Sequence, residues 1–162
     1  MAKVVKWAIA LFLGFSGLKS WAEFPNHRWA ALATYGGAGL RYALSPRISG
    51  EGRVLMGDGL AVSLRGSYLW EKESWKIRPL AGAEVSVLSP FRGEGHQGAA
   101  FLLFVGGEVR LAKRWTFQVD MGPAVLRMRE EDGQKEEWDY QNVLNVSLNY
   151  YFGKKVKGRG KE

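Results

Sequence analysis

The sequence has no cysteine and, among 162 residues, only two histidines, His27 and His96. Disulfide stapling and thiolate metal sites are thereby excluded, and imidazole chemistry is confined to two positions. Long apolar runs are equally scarce. The one continuous run, Trp7–Phe15, falls short of the ~20 residues a helix needs to cross a bilayer. Lys3 and Lys6 precede it and Ser20-Trp21-Ala22 follows, with small residues at the two positions a signal peptidase reads. Residues 1–22 are therefore expected to be a cleaved secretory signal.

A body-wide charge excess is missing too. The net charge of +7 comes from the ends. Lys3, Lys6 and Lys19 lie in the leader, and Lys154, Lys155, Lys157, Arg159 and Lys161 lie in the tail 153–162 against Glu162, so residues 23–152 keep 15 bases and 15 acids. A neutral body argues against a nucleic-acid partner.

What the chain does have is alternation. Leu144, Val146, Leu148, Tyr150 and Phe152 alternate with Asn145, Ser147, Asn149 and Tyr151. Leu60, Val62, Leu64, Tyr68 and Trp70 oppose Ser63, Arg65 and Ser67, while Ile77, Ala81, Ala83, Val85 and Val87 oppose Arg78, Glu84 and Ser86. Phe101, Leu103, Val105, Val109 and Leu111 oppose Glu108 and Arg110, and Trp115, Phe117, Val119, Met121 and Val125 oppose Thr116, Gln118 and Asp120. Weaker versions set Ile48, Val54 and Met56 against Ser49, Glu51 and Arg53, and Leu40, Tyr42 and Leu44 against Arg41. Period-2 segments near the ~9–11 residues of a tilted membrane strand predict an all-β, antiparallel, up-and-down transmembrane barrel over residues 23–152. Seven segments are clear. An even strand number asks for an eighth, over Asn26–Tyr35, turning through Gly36-Gly37.

The connections Ser45–Arg47, Glu71–Ser74 and Ala112–Arg114 are short, whereas 89–98 and 129–138 are long and polar, as periplasmic turns and outer loops are. Trp70, Trp75, Trp115, Tyr150 and Phe152 then fall at the turn end as an interfacial girdle, with Phe91, Phe101, Trp138 and Tyr140 at the other end. If the apolar faces meet lipid, the lumen receives Arg41, Glu51, Arg53, Arg65, Arg78, Glu84, Glu108, Arg110, Gln118 and Asp120. Eight strands leave room only for side chains, so these charges are expected to pair as an ionic plug. Glu51 with Arg53, and Glu108 with Arg110, share a face because they are two apart.

The pattern Gly39-Leu40-Arg41-Tyr42-Ala43-Leu44-Ser45-Pro46-Arg47, the inward Arg/Glu set and the terminal Leu-x-Tyr-x-Phe run resemble the small outer-membrane β-barrels of Gram-negative bacteria, the OmpA/OmpX type, over residues 26–152. The resemblance implies an outer-membrane location, contact with membrane lipids and lipopolysaccharide, and delivery by the barrel-assembly machinery through the last strand. In this sequence ten residues follow Phe152, where family members commonly stop.

The expected function is non-enzymatic: a monomeric, cofactor-free barrel serving envelope integrity or surface interaction through the loops 89–98 and 129–138. Two alternatives stay open. A lipid-modifying barrel enzyme would use His96 with Glu94, although no His-x-Ser arrangement lies on a strand. A soluble calycin-like barrel would turn the apolar face inward around a hydrophobic ligand. The carboxylates of 127–139 offer oxygen ligands to a divalent cation, with Arg127 and Arg129 available to phosphates; a solvated loop is the simpler account. The basic tail, read as flexible, offers contacts to anionic headgroups.

Overall fold

A computed structural model describes Phe24 and residues 27–57, 59–70, 76–90, 97–129 and 136–155. Eight strands follow in chain order: β1 His27–Thr34, β2 Gly37–Ala43, β3 Ile48–Met56, β4 Gly59–Leu69, β5 Ile77–Pro90, β6 Gln97–Arg110, β7 Trp115–Arg129 and β8 Glu136–Lys155. Each pairs antiparallel with its sequence neighbours, and β1 closes on β8, giving a closed meander with no helix among the described residues.

The register fixes the size of the ring. Following hydrogen-bonded partners from Ala30 through Arg41, Glu51, Arg65, Glu84, Leu102 and Ala124 reaches Gln141 on β8, yet Ala30 itself faces Tyr151, ten residues further along. A stagger of ten residues over eight strands tilts them about 40° and sets a backbone radius of about 8 Å. Inward side chains at that radius meet across the axis. The barrel is therefore filled rather than hollow.

The eighth strand is β1, within the expected Asn26–Tyr35. Its Trp29-Ala30-Ala31-Leu32-Ala33 buries Ala30 and Leu32 and leaves Trp29 exposed. The β1–β2 turn depends on Gly36, whose φ of 82° lies where L side chains are strained.

Strand lengths rise from seven residues in β2 to twenty in β8, so the wall is uneven. β1 meets β8 only up to Ser147, with Tyr35 N–H donating to the Val146 carbonyl, so β8 residues 136–145 stand above any β1 partner. This corrects the expected loops. Ser89 and Pro90 belong to β5, Gln97 and Gly98 to β6, Arg129 to β7 and Glu136–Trp138 to β8. The ladder continues because backbone pairing does not require a buried face, and once both faces are wet the alternation that marks a strand in sequence disappears. At the other end β8 runs through Lys155, three residues past the expected close at Phe152.

Candidate functional site

The alternation assigns sides to the wall, and the burial follows it. Arg41, Glu51, Arg53, Arg65, Arg78, Glu84, Glu108 and Asp120 are each no more than 6% exposed, whereas outward Leu64 is 72%, Val105 63% and Leu40 53% exposed. Four guanidinium groups and four carboxylates thus fill the lumen with no net charge among them.

Glu108, on β6, is the hub. It is fully buried, and its carboxylate accepts from Arg78 Nε at 3.2 Å and from Arg78 Nη2, from Arg41 Nη1 at 3.4 Å, from Tyr151 Oη at 2.7 Å, from Asn149 Nδ2 at 3.3 Å and from Thr116 Oγ1. The register explains the convergence, since Arg78 faces Glu108 and Thr116 faces Asn149 across neighbouring strands. Arg41 spans the barrel. Its Nε donates to Glu51 Oε1 at 2.7 Å, its Nη1 to Tyr151 Oη at 2.8 Å, and its Nη2 to Gln118. Glu51 also takes Arg53 Nη2 at 2.6 Å. Arg65 lies 3.4 Å from Glu84 and 2.7 Å from Asp120; the Asp120 contact is one of charge, because Arg65 Nη2 is not in line for a hydrogen bond there. Its guanidinium lies 3.3 Å above the centre of the Phe104 ring. Asp120 also accepts from Gln118 at 2.8 Å and Asn145 at 3.1 Å.

The Glu108 carboxylate, so fully engaged, has no lone pair left for a substrate proton. The network includes every charged lumen residue expected from sequence except one. Arg110, beside the turn, donates from Nε to the Ala112 carbonyl at 3.1 Å and reaches no described carboxylate. It stands at the end of β6, where the ring opens to solvent and its own turn offers an acceptor.

Sequence reading missed two features. Tyr151, Asn149 and Thr116 complete the Glu108 hub; their inward parity was visible but their convergence required the register. The lumen is also not polar throughout. Leu69, Leu80, Leu102, Phe104, Ala124 and Leu126 form a buried apolar cluster, flanked by Ala100, Met128 and Val143, so β4 to β7 also turn apolar side chains inward, beside the plug as well as above it. In Phe101-Leu102-Leu103-Phe104-Val105 both faces are apolar, and alternation there carries no sign of a second inward surface.

On the outside, aromatic side chains encircle the turn end. Trp29 and Tyr42 rings are 4.7 Å apart, Tyr68 and Trp70 5.0 Å, Trp115 and Tyr150 4.8 Å, and Tyr150 and Phe152 6.4 Å. Trp75 lies outside the described residues. At the opposite end Trp138 and Tyr140 project from β8, and residues 136–142 are exposed on both faces. There Arg127 Nη2 donates to Glu136 at 2.6 Å and Arg127 lies 5.9 Å from the Trp138 ring centre. The Arg127 guanidinium holds the Glu136 carboxyl below its usual range, so this exposed pair attracts above the ordinary carboxylate range and is lost as pH falls through the lowered value.

His96 and Glu94, the pair an enzyme would need, lie outside the described residues, as do the leader 1–22 and most of the basic tail. His27 sits at the start of β1, its Nδ1 buried without a hydrogen-bond partner among the described residues. Among the described residues no group of three or more His, Asp or Glu side chains could hold a metal ion. Comparison with protein-family models, curated proteins and solved structures finds no match to this chain.

Proposed function

We propose that this protein is a bacterial outer-membrane β-barrel, of the OmpA/OmpX type it resembles, whose sealed lumen makes it a rigid, non-enzymatic mount for the β7–β8 and β5–β6 hairpins at the outer face. The observation that carries this reading is the inverted partition of the wall: large apolar side chains outside, ion pairs inside. A soluble ligand-binding barrel needs the reverse, because exposing this many Leu, Val and Trp side chains to water forfeits the hydrophobic gain that folding relies on. The height fits as well. Outward apolar residues from Trp115 to Val125 on β7, tilted about 40°, rise about 25 Å, the height of a lipid-facing barrel band. Above that band the β7–β8 hairpin carries Arg127, Glu136, Trp138 and Tyr140 into solvent, where a surface partner or lipopolysaccharide would meet it.

The test is gel mobility of the membrane-fraction protein in SDS, unboiled against boiled. A shift on heating is expected, because a closed ladder resists cold SDS. Equal mobility together with recovery in the soluble fraction would overturn the reading and favour the calycin-like alternative. The hairpin is expected to be dispensable for folding: Arg127→Ala, Glu136→Ala and Trp138→Ala should each leave the urea midpoint unchanged, since their contacts are exposed and lie above the ring. A lowered midpoint in any of them would make the hairpin structural.

A further inference from the structure

The lipid-facing wall of β1–β5 carries a groove of about 590 Å³. Its sides are Trp29, Leu40, Tyr42 and Leu44 on one flank and Leu64 and Val85 on the other; its floor is Gly50, Gly52, Gly66 and Ala83. The floor glycines have no reason inside the barrel. A Cβ built on Gly52 or Gly66 meets nothing within 4 Å, and one on Gly50 only touches the Arg65 carbonyl at 4.0 Å. Glycine weakens a strand, so three of them side by side on an outward face, where larger side chains would fit, keep a depression open at a cost to the sheet.

The second observation lies at the groove's turn end. The register shift between His27↔Lys155 and Trp29↔Phe152 puts a bulge on β8 at Gly153 and Lys154, with Gly153 at a φ of 84°. Arg28, opposite that bulge at the end of β1, is exposed although it shares the parity of buried Ala30. Its Nη1 donates at 3.4 Å to the Tyr42 hydroxyl, on the groove's own flank. Arg47 is exposed in the turn that closes on Leu44, and among the described residues neither arginine is paired with a carboxylate. The groove runs diagonally from Leu44 past Tyr42, Gly50, Gly66 and Ala83 to Val85, each step to a neighbouring strand or two residues along one, for a length of about 20 Å. One leaflet of a bilayer is about 15 Å deep, so a trough of about 20 Å that starts at an interfacial cation runs through the whole leaflet and slightly past its midplane, a course that suits a single amphiphile.

We infer that this groove is a binding site for one anionic phospholipid of the leaflet on the turn side, its acyl chain along Gly50, Gly52 and Gly66 and its phosphate on Arg28, with Arg47 beside it. This rests on the membrane reading above. Charge complementarity decides the occupant: a second copy of the chain would bring its own Arg28 and Arg47 to the same girdle, like against like, whereas a lipid phosphate neutralises them.

The experiment uses the full folded protein, reconstituted in nanodiscs holding equal dioleoylphosphatidylglycerol and dioleoylphosphatidylcholine, then released into mild detergent for native mass spectrometry. One retained phosphatidylglycerol per chain is expected, favoured over phosphatidylcholine by at least about fivefold. Gly66→Leu, whose side chain enters open space, should keep the heat-dependent gel shift and lose both lipid adducts. Arg28→Gln should keep the adducts and erase the preference. Equal retention by wild type and Gly66→Leu would overturn the inference. So would a wild-type dimer that Gly66→Leu converts to monomer, since the groove would then be a self-interface. Protein that neither shifts on heating nor floats with vesicles would instead sink the membrane reading.

Discussion

Glu108→Ala should leave the protein unable to hold its folded form in cold SDS, with a loss of about 3–5 kcal/mol, the cost of stranding a buried charge partner. Removing the carboxylate frees two guanidinium groups at once: Arg78 loses its one described ion pair, and Arg41 keeps only Glu51. Thr116 and Tyr151 hydroxyls and the Asn149 amide lose an acceptor in a fully buried site. Glu108→Gln keeps the shape and an acceptor oxygen but not the charge, and should fall between wild type and Ala. The double variant Arg78→Leu/Glu108→Leu should recover much of the loss, because a buried ion pair replaced whole by apolar groups is often neutral or better. Urea titration of the detergent-folded protein, alongside the gel shift, reads all three. A Glu108→Ala midpoint within error of wild type would mean that water reaches the hub and that the lumen is not sealed.

That plug was legible in sequence because a strand's alternation needs no knowledge of its neighbours. Arg65 among Leu64 and Gly66, or Glu108 between Gly107 and Val109, declares a face by parity alone, and the eight charges of the network are all buried. Which charge meets which was not legible, since Arg41 reaches Glu108 across 67 residues of sequence and the pairing depends on a ten-residue stagger that no local pattern encodes. β1 was the faintest strand, because alanine on both faces gives little contrast. Arg28 is exposed despite the inward parity it shares with Ala30 because it lies at the end of β1, opposite the β8 bulge at Gly153 and Lys154, where the ring opens to solvent. The upper ends of β5 to β8 carry no strand signal in sequence because above the proposed lipid band polar side chains occupy both faces, while the hydrogen bonds that define the strands leave no trace in polarity.

Gly122→Val and Gly106→Val should both fail to fold, whereas Gly52→Val should fold as well as wild type or slightly better, although all three are strand glycines in one barrel. At Gly122 a Cβ would be driven into the Leu103 carbonyl on β6, and at Gly106 into the Val119 carbonyl and the Asp120 side chain on β7. Backbone carbonyls cannot rotate aside as a flexible side chain can, so relief requires β6 and β7 to separate where they support Phe104 and the Arg65–Asp120 contact. Overpacking of that kind costs at least about 3 kcal/mol here, at the upper end of its usual range, because it acts on the ladder as well as on the core. Gly52 presents the opposite case. Its Cβ position is empty, and replacing glycine there removes a strand's entropic penalty of about 0.5–1 kcal/mol. The measurement is the urea midpoint of each variant refolded into the same detergent, with the cold-SDS gel shift as a second readout. If Gly122→Val kept its midpoint, the close approach of β6 and β7 would be wrong; if Gly52→Val lost it, the open groove above Gly52 would be needed for folding rather than for an occupant.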